Sequence, residues 1–404
     1  MGWYNITPMT NSTPSNIMVI SLWSPPEIRP QAFLIDKLIK EWHKQNFSPI
    51  LVSYESSQKS VLPCKHITIP QYKPLKFFNR TTSLCGWHKL LFHIASILRL
   101  KRITKQHKIK LIFSFSNPID SNIWTTFINI ITEIPFIAHF SDPFVNNPLK
   151  SVSGFQNKLN IWLEKTIMYR SLKLVFTNES QRHLMLKYYP KSISEKSYVF
   201  PHAYDPALYK NRNPKTVKSE HIRINHIGAL YKNRTPETVF KAIQCLDKHE
   251  QSKLSLHFIG GINPYSGYSL DAFNALISKY NLNLNIEIEA PISYQESLHK
   301  MCEADVLLVI DPPLENSPFL PSKLIDYIGS KTPILAITPP NSPTQKALKE
   351  LNHPTYSHQD VDNIAKELKN MITSPSHTTE TSTENYSIRT VAKQWISLFQ
   401  SAIQ

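Results

Sequence analysis

The sequence predicts an α/β protein built of two doubly wound, parallel-sheet domains. Three observations carry this prediction. The chain has 404 residues, more than one ordinary domain needs. Short, continuously apolar runs alternate with longer amphipathic stretches, which is the pattern of parallel strands covered on both faces by helices. That alternation breaks off in the polar, proline-bearing stretch at 204–221 and then begins again.

In order, the first half offers "IMVISLW" (17–23) as a strand, a helix near 31–45, and then "PILVSY" (49–54). The strands "KLIFSF" (110–115), "PFIAHF" (135–140), "LKLVFTN" (172–178) and "SYVFPH" (197–202) follow, which sets a first domain at 17–205. The second half begins with "IRINHIG" (222–228). It continues with a helix over 235–249, Thr235 as its N-cap and Pro236 at its first position. "LSLHFIGG" (254–261), "LNIEIEA" (284–290), "ADVLLVI" (304–310) and "TPILAI" (332–337) complete a second domain at 222–371. A Ser/Thr-rich linker, "TSPSHTTETSTENYS", leads to an amphipathic helix within 386–404, expected to pack back across the domains. Open α/β sheets bind ligands at the carboxyl ends of their strands, and a cleft between two such domains is the default site.

Composition narrows the class. Hydrophobic residues make up 41% and charged residues 19%, as in a globular chain. Lys and Arg number 45 against 30 Asp and Glu, a formal net charge of +15. Such an excess points to an acidic partner: a phosphate-bearing substrate, a membrane surface or nucleic acid. Cys64, Cys85, Cys245 and Cys302 stand far apart with no CxxC or zinc spacing, so reduced thiols of a cytosolic protein are expected. No run of 18 apolar residues occurs. The nearest, 123–140, is broken by Asn129, Glu133 and Pro135. The polar start "MGWYNITPMTNSTPSN" has no basic n-region and does not read as a signal peptide.

Three stretches of the second half, "INHIGALYKNRTPETVFKAI", "ADVLLVIDPP" and "FLPSKLIDYIGSKTPILA", together resemble the C-terminal domain of glycosyltransferase family 4 proteins with the GT-B fold. In the first half, "SLWSPPEIRPQAFLIDKLIKEW" is similar to that family's first strand, loop and helix. "LIFSFSNPIDSNIWTTFINIITEIPFIAHFSDPF" resembles its strand–helix–strand ending in an Asp-Pro-aromatic turn, and "VFPHAYDP" its segment before the interdomain linker. The likeness spans residues 17–335. It implies two Rossmann-like domains facing a cleft, the donor on the C-terminal domain and the acceptor on the N-terminal one. It also implies transfer of a sugar from a nucleoside-diphosphate sugar with retention, without a catalytic metal or other cofactor.

Carried onto this sequence, the motifs nominate specific residues. A departing nucleoside diphosphate needs cations and helix N-termini where no metal is used. Arg234 follows a strand and would grip the diphosphate bidentately; otherwise it is a solvated loop arginine. Ser322 and Lys323 follow Pro321 at a helix start, where backbone N–H groups are open. Asp326, one turn on, suits the vicinal ribose hydroxyls, or else forms a weak surface pair with Lys323. Gly228 ends a strand where close backbone approach is needed. On the N-terminal side, Arg29 in "PPEIRPQ" replaces a glycine-rich turn and would reach the diphosphate. Asp142 in "SDPF" would bind or deprotonate an acceptor hydroxyl, or simply make an Asp-Pro turn. His139 and His202 lie near strand ends and read more readily as structural. The family's sugar-binding glutamate is replaced by Pro318, with Glu315 three residues out of register. "DVD" at 360–362 precedes a helical pattern and reads as first-turn acids rather than a metal motif.

Between Ser56 and Ile119 no Asp or Glu occurs, whereas Lys59, Lys65, Lys73, Lys76, Arg80, Lys89, Arg99, Lys101, Arg102, Lys105, Lys108 and Lys110 do. Within this interval "GWHKLLFHIASILRLKRITKQHK" combines Trp87, Leu90, Leu91, Ile94, Ile97 and Leu98 with trailing cations, as in a helix lying on an anionic membrane surface, or a core-facing helix with a solvated basic face. No nucleic-acid motif accompanies it. The reading is a cytoplasmic transferase, peripheral at the inner face of the cell membrane, acting on a lipid-linked glycan of lipopolysaccharide O-antigen or capsule. Its rivals are a GT-B sugar-nucleotide epimerase and a non-enzymatic basic membrane- or nucleic-acid-binding protein on a transferase scaffold.

Overall fold

The structure is a computed structural model that describes residues 16–56, 61–72, 83–150, 152, 154–210, 221–262, 267–373 and 382–403. Lys59, Lys73, Lys76, Arg80, the side chain of Trp87, most of the stretch between the two strand series and the first part of the Ser/Thr-rich linker lie outside the described residues. The chain divides into unit 1, residues 1–202 with 388–404, and unit 2, residues 203–387.

Unit 1 carries β1 (Ile17–Ile20), α1 (Pro30–Lys44), β2 (Ile50–Tyr54), β3 (Lys65–Ile69), α2 (Ser83–Gln106), β4 (Leu111–Phe115), α3 (Asp120–Thr132) and β5 (Phe136–Phe140). It continues with α4 (Gly154–Arg170), β6 (Lys173–Phe176), α5 (Glu179–Leu186), α6 (Lys191–Glu195) and β7 (Ser197–Val199). The strands form one parallel seven-stranded sheet in the order β3-β2-β1-β4-β5-β6-β7. Successive side chains of a strand point to opposite faces, so each buried strand needs apolar residues in both directions. Met18, Ile20, Ile112, Ala138 and Phe176 share one core with Ile128 of α3 and Ile167 and Met168 of α4. Phe113, one position on from Ile112, turns to the opposite layer. There its ring lies 4.5 Å from that of Trp395 and 5.3 Å from Phe399. Those two residues belong to the chain's last helix (Ile388–Ile403), which packs on α1 and β4.

Unit 2 carries β8 (Ile222–Ile227), α7 (Glu237–Gln244), α8 (Lys248–Ser252), β9 (Leu254–Ile259), α9 (Leu270–Tyr280), β10 (Asn285–Glu289) and α10 (Tyr294–Glu303). After these come β11 (Val306–Ile310), α11 (Ser322–Ser330), β12 (Ile334–Ile337), α12 (Pro343–Glu350), β13 (Thr355–Tyr356) and α13 (Val361–Thr373); the last helix of the chain, in unit 1, is α14. The six strands are parallel, in the order β10-β9-β8-β11-β12-β13. Leu308 and Ile310 enter a core with α7, α9 and α13, while Leu307 and Val309 enter one with α10, α11 and α12.

Every predicted strand is present. Two further strands, β3 and β13, extend the sheets at their edges. The helix expected over 235–249 is corrected. Pro236, not Thr235, occupies the N-cap, without a side-chain cap bond, and the helix stops at Gln244. A separate short helix then starts from a capping box between Asp247 and Glu250, which competes for the backbone that a continuous helix would use. Among the described residues no helix is long and apolar enough to cross a membrane.

Candidate functional site

In each sheet the strand order reverses once, between β1 and β4 in unit 1 and between β8 and β11 in unit 2. At such a point neighbouring connections leave toward opposite faces and open a crevice at the carboxyl ends. In unit 2 the residues flanking that crevice are Gly228, after β8, and Asp311, after β11.

Four polar side chains converge there. Arg234 Nη2 lies 3.9 Å from Asp311 Oδ1, and its guanidinium lies 4.7 Å over the Tyr231 ring. Lys323, from the first turn of α11, places Nζ 3.0 Å from Nε2 of buried His226. His226 Nδ1 faces the Leu308 carbonyl at 3.0 Å, which fixes the proton on Nδ1 and leaves Nε2 to accept from Lys323. Burial pulls Lys323 well below the ordinary lysine range; Arg234 adds to that, and Asp311 opposes it. His226 is likewise pulled down by burial, with Lys323 and Arg234 contributing, and stays neutral. Asp311 is held from the other side by Thr338, whose hydroxyl donates to Oδ2 at 2.8 Å. Arg234 Nε and Asp311 Oδ1 are buried without hydrogen-bond partners.

Backbone shape makes room for this cluster. Gly228 has φ +125°, and a Cβ there would stand 3.4 Å from Lys323 Cδ and 3.5 Å from its Nζ. Gly260, with φ +120°, would push a Cβ to 2.8 Å from the Gly228 carbonyl carbon, so both positions need glycine. Pro321 is the N-cap of α11 and makes no side-chain cap bond, and Ser322 and Lys323 form the first turn of that helix.

Of the residues nominated from sequence, the structure brings Gly228, Arg234 and Lys323 together, with Ser322 preceding Lys323 as the first residue of α11. Asp326 turns elsewhere: it is buried, and its Oδ1 accepts from Tyr294 at 3.0 Å and from Tyr209 at 3.3 Å. Glu315 lines a separate cavity of about 490 Å³ with Asn316, Asn341 and His358, and Pro318 is buried beside that loop. His358 Nε2 donates to the Asp311 carbonyl at 2.8 Å, tying this cavity to the cluster. Asp360 accepts from the Ser357 N–H at the start of α13. Among the described residues no group of three His, Cys, Asp or Glu is arranged to hold a metal ion. Asp311 and His226 were not singled out from sequence. Their one signal was position, since each stands at or near the end of a strand beside the reversal.

In unit 1 a cleft of about 740 Å³ opens at the corresponding reversal, lined among others by Trp23, Asn117, Asp142, Phe144 and Lys150. Asn117 Nδ2 donates to Asp142 Oδ2 at 2.7 Å. Arg29 is exposed, sits 4.4 Å over the Trp23 ring and pairs with Glu27 at 3.7 Å. His139 and His202 are buried, His139 stacked on Phe115 at 4.4 Å. Burial pulls both imidazoles down, His202 to about 4 with help from Lys37. These histidines are therefore neutral packing groups.

The chain matches no known family model and no curated protein. It is similar to solved structures along almost its whole length. HepE of Anabaena, solved with UDP and glucose, superposes with a TM-score of 0.69 at 10% identity over 95% of this chain and 99% of that one. Sucrose-phosphate synthase from Thermosynechococcus elongatus gives 0.70 at 14% identity, covering 96% and 98%. WaaG, a glycosyltransferase involved in lipopolysaccharide biosynthesis, gives 0.61 at 13% identity, covering 95% and 99%. The fold is GT-B.

Proposed function

We propose that the chain is a retaining, metal-independent glycosyltransferase that moves a sugar from a nucleoside-diphosphate sugar to a glycan acceptor. The observation that carries this reading is the convergence of Arg234, Lys323 and the start of α11 around Gly228 at the β8–β11 reversal. The leaving diphosphate gains charge as the glycosidic bond breaks, and two cations with open N–H groups meet that charge without rearrangement. Arg234 offers a planar fork to two phosphate oxygens, Lys323 a point charge, and Ser322 its backbone N–H. Asp326 is left out of the donor site, because Tyr209 and Tyr294 hold its buried carboxylate away from the cluster. Glu315 is assigned to the donor sugar in place of the missing glutamate at Pro318. Asp142, oriented by Asn117, is assigned to an acceptor hydroxyl. Arg29, stacked on Trp23, adds positive charge beside the unit 1 cleft that Trp23 lines.

The similar proteins support the finer choices. HepE was solved with UDP and glucose, and WaaG acts in lipopolysaccharide biosynthesis. On that basis the donor is a UDP-sugar and the product a bacterial surface glycan, O-antigen or capsule, made in the cytoplasm on a lipid-linked acceptor. The test incubates the full chain with a panel of nucleotide sugars and membrane extract, reading nucleoside diphosphate release and the anomeric configuration of the product. No binding and no turnover with any donor would refute the transferase. A free epimer formed without acceptor would assign the epimerase instead.

A further inference from the structure

Helix α2 buries one face and exposes the opposite one. Ser96, Leu100, Ile103 and Thr104 are buried. Leu90, Leu91, Ile94 and Leu98 are exposed, Leu91 at 61% of its surface. With about 100° per residue, these four fall on one arc about 100° wide, and Lys101 and Lys105 continue along that same arc. The helix contains no Asp or Glu.

A second surface of this kind lies on α4. Phe155 is 81% exposed, Trp162 52% and Tyr169 56%. They are seven residues apart, which puts them on one narrow stripe, with Lys158 and Lys165 beside it. The single acid of α4, Glu164, is buried on the other side. Helix α3 packs between α2 and α4 and adds exposed Ile130 and Ile131 at its end, next to the exposed acid Glu133. All three helices cover the same face of the unit 1 sheet, since Leu100, Ile103, Ile128, Ile167 and Met168 enter one core. Their outer faces therefore form one layer that joins aliphatic, aromatic and cationic side chains.

We infer that the outer layer of α2, α3 and α4 docks on an anionic lipid surface. Scattered exposed apolar residues need no partner, but a contiguous set rimmed by lysines does. Aromatic rings settle at the headgroup level, aliphatic side chains enter just beneath it, and lysine stems extend outward to phosphates. The near absence of exposed acids on the layer selects a negative surface and disfavours an acid-bearing protein face. Each engaged cation strengthens binding about fivefold, and no single one anchors the chain.

The experiment measures flotation of the full chain with phosphatidylcholine vesicles, with and without phosphatidylglycerol. Binding is expected only when phosphatidylglycerol is present, and it should weaken as salt rises. Lys101→Gln with Lys105→Gln is expected to lower the partition coefficient about twenty-five-fold. Phe155→Ala with Trp162→Ala is expected to lower it tenfold or more. All four side chains are exposed, so thermal unfolding and UDP binding should be unchanged, which separates this inference from the donor site. Equal flotation with both vesicle types, or flotation unaffected by either pair, would overturn it. So would sedimentation showing self-association that these substitutions abolish, because a second copy would then cover the layer.

Discussion

Arg234 Nη2 stands 3.9 Å from Asp311 Oδ1, with both side chains nearly closed to solvent, yet neither Arg234 Nε nor Asp311 Oδ1 has a hydrogen-bond partner. The pair is close enough to hold the guanidinium in place and too far for a full hydrogen bond. A buried donor left unmade costs about 1–3 kcal/mol. An oxyanion accepting from Arg234 Nε would relieve that cost, as the proposed diphosphate assignment requires.

Removing the cations should therefore act on donor binding. Charge-assisted hydrogen bonds contribute about 1.5–3 kcal/mol each, so Arg234→Ala and Lys323→Ala should each weaken UDP binding about ten- to a hundredfold by calorimetry. Arg234→Lys should recover little, because an ammonium cannot offer the fork. Unchanged affinity in both alanine variants would remove the diphosphate assignment.

The pH dependence of the same binding has a defined sign. Burial and Arg234 lower the Lys323 pKa, while Asp311 raises it. Lys323 is charged below its depressed pKa, so UDP affinity should fall as pH rises through that value. Asp311→Asn removes the supporting charge, and the fall should move to lower pH. A pH profile identical in the two proteins would show that Asp311 does not set the state of Lys323.

How far residues alone foretell this site depends on sequence distance. The strands were legible because each is a continuous apolar run, whereas β3, "KHITI", is an edge strand whose exposed Lys65 dilutes the pattern, and β13 has only two residues. Arg234 and Lys323 were legible through family-like motifs at a strand and a helix start. The Lys323–His226 contact joins positions 97 apart and exists only once β8 and α11 are packed. Asp311 sits in "IDPP", which reads as a turn, and its role appears only when β11 is paired beside β8. Asp326 lay on the expected helix, but no spacing rule foretells Tyr209 and Tyr294 closing over it.

The aromatic contacts of α14 predict a stability effect. Trp395 is almost wholly buried, 4.5 Å from Phe113 and 4.8 Å from Phe200 by ring centroids. Trp395→Ala removes a large side chain from a packed layer and should cost about 3–5 kcal/mol in urea unfolding. A loss below about 1 kcal/mol would mean that α14 contributes little to unit 1.

Glu164 gives unit 1 a separate pH dependence. Its carboxyl is buried, accepts from the Val145 N–H at 2.9 Å and from the Tyr189 hydroxyl at 3.3 Å, and is pushed up to about 7, chiefly by burial. Unfolded, it titrates near 4.5. Between those values the folded chain holds a proton that the unfolded chain has released, so stability falls as pH rises across the window. One proton over that span amounts to about 3 kcal/mol. Glu164→Gln carries no titrating proton and can still accept from Val145 while its amide faces the Tyr189 oxygen. The difference in unfolding free energy between the two proteins should therefore shift steadily toward the glutamine variant from pH 4.5 to about 7, then level off. A difference that stays constant would mean that Glu164 keeps its ordinary acidity, and that water reaches the carboxyl beside Val145.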